Sequence, residues 1–186
     1  ALLSNGIYSD KSRPFSAGRD PSLPTWSIRR AIQPLLCALL HPTENNHYFT
    51  SGTTDMPKMV AHNFAYPLGH INTAVYWQQL TDGDIHFTLS ESGWAKCSWG
   101  KMYGQWLAGA TVFVFDFSRV FTARDLLAAI SENHITSFCA PPTAYKMILS
   151  ANMAKYDLSA LKKASVAGEA LNPEVFERFM EKTGVK

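Results

Sequence analysis

Cysteine is scarce and scattered in this chain. Cys37, Cys97 and Cys139 are odd in number and widely spaced. That excludes a disulfide framework and a thiolate metal cluster, and it points to a reducing compartment with each thiol as a small buried apolar group. Long hydrophobic runs are missing too. The longest, Ala31 to Leu40, contains Gln33 and Pro34 and is too short to span a bilayer. The residues before it lack the order of a secretory signal, although the sequence opens on Ala1 rather than Met. Charge of one sign is also lacking. A net +2 over 186 residues gives no argument for a nucleic-acid partner. Residues 1–41 hold 5 of the 17 basic and 2 of the 15 acidic residues, so the small excess lies in the lead-in. His62, His70 and His86 have no carboxylate or thiol at ligand spacing, so no protein-built metal site is expected. No Ser-His-Asp order or nucleophile elbow occurs.

What remains is a globular, soluble composition, 46% hydrophobic and 17% charged, with length enough for one domain and its core. Residues 1–30 are rich in Ser, Pro, Gly and Arg and have no period, so 1–41 is read as an irregular lead-in. From His47 the chain alternates. Short apolar runs at His47–Thr50, Met59–His62, Ile85–Leu89, Thr111–Phe115, Ile135–Cys139 and Ala164–Ala167 predict strands. Helices are predicted at Pro67–Leu80, Ala95–Leu107, Thr122–Asn133, Thr143–Ser150 and Asn172–Thr183. Thr122 with Asp125 reads as a capping box, and Thr143 as an N-cap. Asn172 and Pro173 open the last helix and Gly184 stops it. Such alternation argues α/β architecture, a mostly parallel sheet with helices on both faces and ligands at the carboxyl ends of strands.

The stretch with most chemistry is Tyr48-Phe49-Thr50-Ser51-Gly52-Thr53-Thr54-Asp55-Met56-Pro57-Lys58. Small and hydroxylated residues followed by a lysine suit a loop that surrounds a phosphate. The spacing is not that of a Walker loop, which leaves a P-loop phosphotransferase with no support. On composition alone an ordinary Ser/Thr-Gly hairpin loop would account for it. Three further blocks follow. Ser92-Gly93-Trp94-Ala95-Lys96 precedes Tyr103-Gly104-Gln105-Trp106-Leu107-Ala108-Gly109-Ala110. Then come Phe138-Cys139-Ala140-Pro141-Pro142-Thr143-Ala144-Tyr145-Lys146-Met147 and Ser165-Val166-Ala167-Gly168-Glu169-Ala170-Leu171-Asn172-Pro173-Glu174. Taken singly, Trp94 suits a core, Lys96 a solvated surface, and Gly168-Glu169 a plain strand-to-helix turn. Asp82, Asp84 and Glu91 read as solvated charges, and Lys162 with Lys163 as a solvated pair.

Together, in this order, the four blocks resemble the AMP-forming acyl-CoA synthetases of the adenylate-forming superfamily, on the medium-chain or acetate-like branch. The first block matches T-S-G-T-T-G-x-P-K, with Asp55 where the pattern has Gly. The last resembles G-E-P-L-x-P-E, with Ala170 where Pro is common. The resemblance spans about residues 47–186, so 42–186 is read as part of the large layered N-terminal α/β domain. It implies nucleotide binding by Thr50, Ser51, Gly52, Thr53, Thr54, Asp55, Pro57 and Lys58 on the phosphate side. Gly168, Glu169 and Ala170 then lie beside adenine and ribose, and Trp94 and Tyr145 beside the acyl group.

The implied reaction activates a carboxylic acid with ATP to acyl-AMP and transfers the acyl group to CoA, with Mg2+ on the phosphates. The implied place is the cytoplasm, or the mitochondrial matrix for an animal-type relative. The sequence ends at Lys186, before the family's Y-G-x-T-E motif, its ribose-binding Asp and its C-terminal Lys. No catalytic residue is therefore assigned, and the chain alone is expected to be inactive. Asp55 supports the alternative of a degenerate, non-catalytic nucleotide-binding or interaction module. Acyl length and oligomeric state are not legible.

Overall fold

The structure is a computed structural model that describes residues 44–50, 57–63, 65–116 and 120–185. Among them, two sheets form. Strands β1 (Glu44–Thr50) and β2 (Lys58–Asn63) pair antiparallel, with Tyr48 opposite Val60 and Thr50 opposite Lys58. Strands β3 (Ile85–Thr88), β4 (Thr111–Val112), β5 (Ser137–Ala140) and β6 (Lys163–Val166) make a parallel sheet in the order β4-β3-β5-β6. The expected α/β architecture is therefore present. One expectation is corrected: the strand before the phosphate-type loop belongs to the antiparallel hairpin and not to the parallel sheet. A short connection between two adjacent strands closes them antiparallel, whereas a parallel pair needs a long crossover.

Strand alternation gives the parallel sheet two different faces. Ile85, Phe87, Phe138, Ala140, Ala164 and Val166 point to an apolar core. That core is closed by α4 (Ala123–Glu132), α5 (Pro142–Ser150) and α6 (Pro173–Thr183), which contribute Leu126, Leu127, Tyr145, Ile148, Val175 and Phe179. The other face presents His86, Thr88, Ser137, Cys139, Lys163 and Ser165. It is covered near β3 by helical segments that the sequence shows as two continuous helices and the structure breaks. One runs as α1 (Tyr66–Asn72) into a π turn, Thr73–Trp77. The other runs α2 (Ala95–Cys97), a π turn at Ser98–Met102, then α3 (Tyr103–Leu107). In the second π turn the Gly100 carbonyl accepts from Gln78 Nε2 at 3.0 Å, from His86 Nε2 at 3.1 Å and from Thr88 Oγ1. Side-chain donors thus compete for the backbone where the regular ladder is interrupted.

Local signals hold where they are short-range. Thr122 and Asp125 form the full capping box of α4. Asn172 accepts from the Glu174 amide, and Gly184 ends α6 with φ of 71°. Thr143 is corrected. The double proline starts α5 one residue earlier, so Pro141 takes the cap position and Thr143 lies inside the first turn. Gly104 marks a close approach of α3 to α1. A Cβ there would lie 2.0 Å from the His70 carbonyl oxygen.

Candidate functional site

Parallel strands end their carboxyl termini on one edge, and three of the four sequence blocks meet there. Trp94 caps the start of α2 with extended backbone, φ −94° and ψ 139°, and its indole is 69% exposed. Two residues on, Lys96 bends back to the sheet. Its Nζ donates to the Ala167 carbonyl at 3.1 Å, just past β6. Lys96 is therefore not the solvated residue expected. Burial pulls its pKa below the usual lysine range, and Cys139 and the Glu169 carboxylate partly offset that pull.

Ala167 also uses its amide, donating to Ala140 at 3.3 Å at the end of β5. The chain then turns at Gly168 with φ of 110°, a conformation glycine takes without strain. Glu169 and Ala170 are exposed on that turn. Thr143 Oγ1 donates to Glu169 Oε1 at 3.3 Å, joining the start of α5 to it. The wall around Trp94, the start of α5 and the Gly168–Ala170 turn thus form one continuous surface.

The hairpin joins this surface through its own contacts. The Tyr48 hydroxyl bonds Ser98 Oγ, one residue past α2. Tyr48 also packs on Tyr66 and His62, and Tyr66 on Tyr103. Burial, followed by the neighbouring Tyr48, raises the Tyr66 phenol above its ordinary value. Burial lowers His70, with His62 adding to the effect. Pro57 and Lys58 are exposed where β2 begins. Ser51, Gly52, Thr53, Thr54 and Asp55 lie outside the described residues, as does the Thr50 side chain.

Tyr145 is not placed as expected. It is 2% exposed, and its hydroxyl donates to the carbonyls of Phe138 (3.1 Å) and Ser165 (3.0 Å). Burial raises its pKa well above the ordinary value. Its ring packs edge-on against Phe138 and Phe179. It is a pillar between sheet and helices, on the core face. The reason is helical phase: Ala144, Tyr145, Ile148 and Leu149 share one buried stripe.

Two polar clusters were illegible in the sequence. Asp84, read as solvated, is buried and accepts from Thr81 N (2.7 Å), Thr81 Oγ1 (2.9 Å), Thr136 Oγ1 (2.8 Å) and Lys163 Nζ. Lys163 is corrected with it. His86, fully buried, has Nε2 near the Gly100 carbonyl and Nδ1 2.9 Å from Ser137 Oγ. Because a carbonyl only accepts, the neutral ring carries its proton on Nε2 and accepts from Ser137. Among the described residues no three His, Cys, Asp or Glu side chains converge. No helix among them is long and apolar enough to cross a membrane.

A family model described as AMP-binding enzyme matches residues 45–186. The chain belongs to the AMP-binding enzyme family. Members similar to it include the mouse acyl-coenzyme A synthetase ACSM3, mitochondrial, 40% identical over 139 residues, which are 74% of this chain and 24% of that protein. The 4-hydroxybutyrate–CoA ligase 1 of Metallosphaera sedula is 39% identical over 137 residues, 73% of this chain and 24% of that protein. The chain thus spans about a quarter of the length of the curated relatives it matches. Among solved structures, the anthranilate CoA ligase AuaEII in complex with anthranoyl-AMP superposes with a TM-score of 0.69 at 30% identity, over 77% of this chain and 28% of that one. A Brucella canis acyl-CoA synthetase does so with 0.64 at 28%, over 75% and 25%. The fold of this family member is that of adenylate-forming enzymes, and its relatives are acid–CoA ligases.

Proposed function

We propose that the chain carries the phosphate-binding hairpin, the adenine-side turn and part of the acyl wall of an AMP-forming acyl-CoA synthetase. The substrates are a carboxylic acid, ATP and CoA. A carboxylate oxygen attacks the α-phosphorus of ATP and pyrophosphate leaves, giving acyl-AMP. The CoA sulfur then attacks the acyl carbonyl, and AMP leaves as the thioester forms. The observation that carries this reading is the meeting of the Trp94, Thr143 and Gly168 blocks on the carboxyl edge of a parallel sheet.

The roles follow from chemistry. Hydroxyls and amides of Thr50, Ser51, Gly52, Thr53 and Thr54 hold the β and γ phosphates, next to Pro57. Lys58 offsets their charge. The Gly168 turn offers backbone groups of Glu169 and Ala170 to adenine and ribose. The exposed Trp94 indole gives the acyl chain a flat apolar wall. Catalysis in such a site rests on positioning and charge stabilisation. The place of action is the cytoplasm or, as the names of the mitochondrial relatives favour, the mitochondrial matrix.

Calorimetric titration of the 186-residue chain with a non-hydrolysable ATP analogue and, separately, with medium-chain acids tests this. Lys58→Met weakens nucleotide binding about tenfold, a loss of about 1.4 kcal/mol, with little effect on acid. Trp94→Ala does the reverse. Absence of nucleotide binding at millimolar analogue ends the reading. Asp55 favours the second reading, a non-catalytic module, and that reading gains if acid binds while the nucleotide does not.

A further inference from the structure

Lys96 lies on a three-residue helix, and its ammonium crosses to a carbonyl 71 residues later. Nothing in the family reading assigns it a task. Its target is well chosen. Ala167 is tied by its amide to Ala140 and by its carbonyl to Lys96, so both its backbone groups are fixed. The next residue is Gly168, where a Cβ would meet nothing within 4 Å, and residues 168–172 are all exposed. The turn that follows β6 therefore has few holds. One is the Lys96 bond to Ala167, and another is the Thr143 bond to Glu169. Trp94 stands two residues from Lys96, at the opening of the same short helix. Indole and ammonium leave the same short helix, so a displacement of that helix reaches both, and through the Lys96 bond the Ala167 carbonyl.

We propose that Lys96 is a positioning residue that couples the acyl side of the site at Trp94 to the nucleotide side at Gly168–Ala170. The inference rests on the proposed function for the identity of the two ligands, but the latch itself rests on geometry alone. An acid seated on Trp94 fixes α2 and presents the Ala167–Ala170 backbone in one arrangement, so nucleotide binds more tightly. By linkage, nucleotide tightens acid binding by the same factor.

The test is a double titration of the full 186-residue chain with the ATP analogue and octanoate, each in the absence and presence of the other. The wild-type chain shows a coupling factor of about fivefold or more, the same in both directions. Lys96→Met brings the factor to about one, while thermal melting confirms that the variant folds. Lys96→Arg keeps part of it, because a guanidinium donates to the same carbonyl. Lys146→Met, at an exposed position on α5, keeps all of it. Unchanged coupling in Lys96→Met overturns the proposal.

Hydrogen exchange on the ligand-free chain separates the two claims. Lys96→Met speeds amide exchange in residues 92–95 and 168–171 together. If neither segment changes, the latch is wrong whatever the ligands do. If the wild-type chain binds no nucleotide but the two segments loosen together, the latch stands and the proposed function falls.

Discussion

The carboxylate of Asp84, at the entry to β3, receives the ammonium of Lys163, which opens β6, 79 residues later. Thr136 Oγ1 stands with them, accepting from the Ile85 amide at 2.9 Å while donating to Asp84. The amino ends of β3, β5 and β6 are thus pinned by one polar cluster, while their carboxyl ends lead into the Trp94, Thr143 and Gly168 blocks. Burial alone would raise the Asp84 pKa. The bonds from Lys163, Thr81 and Thr136 outweigh it and hold the carboxyl below its ordinary value.

Asp84→Ala removes the acceptor of four donors and leaves Lys163 half-buried and unpaired. The expected loss is about 3 kcal/mol, with Lys163→Met milder at about 1–2 kcal/mol. Urea denaturation at pH 7 measures both. Since the native carboxyl is depressed, its contribution is complete above the ordinary carboxylate range. It fades as pH falls below about 4.

His86 acts in the same direction on acidification, over a higher pH range. Burial pushes its pKa down to about 4, with Lys101 and Lys163 adding to the effect while the Gly100 carbonyl and Asp84 oppose it. The unfolded chain takes up this proton at about pH 6.5 and the native chain does so only near its own lower value. Stability is therefore full above about pH 6.5 and declines by about 3 kcal/mol on the way down to pH 4. Unfolding free energies at pH 7.5, 6, 5 and 4 trace the slope. In His86→Gln that slope flattens; a variant with the same slope would show that another group titrates.

Gly104→Ala forces a methyl group into the His70 carbonyl, and backbone cannot swing aside as a flexible side chain can. Separation of α1 from α3 costs about 3 kcal/mol or more. Circular-dichroism melts would register this as a drop of roughly 6–12 °C, by the scaling of about 2–4 °C per kcal/mol for a chain of this size. The neighbouring Gly93, with nothing within 4 Å of its Cβ position, takes alanine with little change.

Asp55→Gly removes a like charge from a loop proposed to hold polyphosphate. At ~5 Å and an effective dielectric of ~20, one such pair costs about 3 kcal/mol, or roughly a hundredfold in affinity. ATP-analogue titration of the two versions should show tighter binding without the carboxylate. Equal dissociation constants would sink the idea.

Much of this architecture was legible because it is written in short-range terms. The alternation of β-branched runs with amphipathic helices located each described strand to within a few residues. The Thr122–Asp125 box, the Asn172–Pro173 start and the Gly184 stop were read from neighbouring residues and are found as read. The failures are of another kind. Asp84 and Lys163, or Lys96 and Ala167, meet only after the sheet is assembled, and a charged side chain carries no local mark of its distant partner. Thr143 failed for a subtler reason: two prolines before it fix extended, then helical, backbone and take over the cap. Tyr145 was read from a family-like motif, and its place on the helical stripe, visible in the sequence as apolar spacing, was the stronger signal. The π turn at Ser98–Met102 was not legible, because the side-chain donors that meet the Gly100 carbonyl arrive from elsewhere in the chain.

The two faces of the parallel sheet are also two regimes of divergence. On the Phe87 and Phe138 side a position tolerates any neighbour that restores volume, so single exchanges accumulate. On the other side His86 is bonded to both Ser137 and Thr88, so these three side chains satisfy one another. A solitary exchange there strands its partner, and change proceeds by matched pairs. Among distant kin, then, the greasy side should drift one residue at a time and the hydroxylated side in couples.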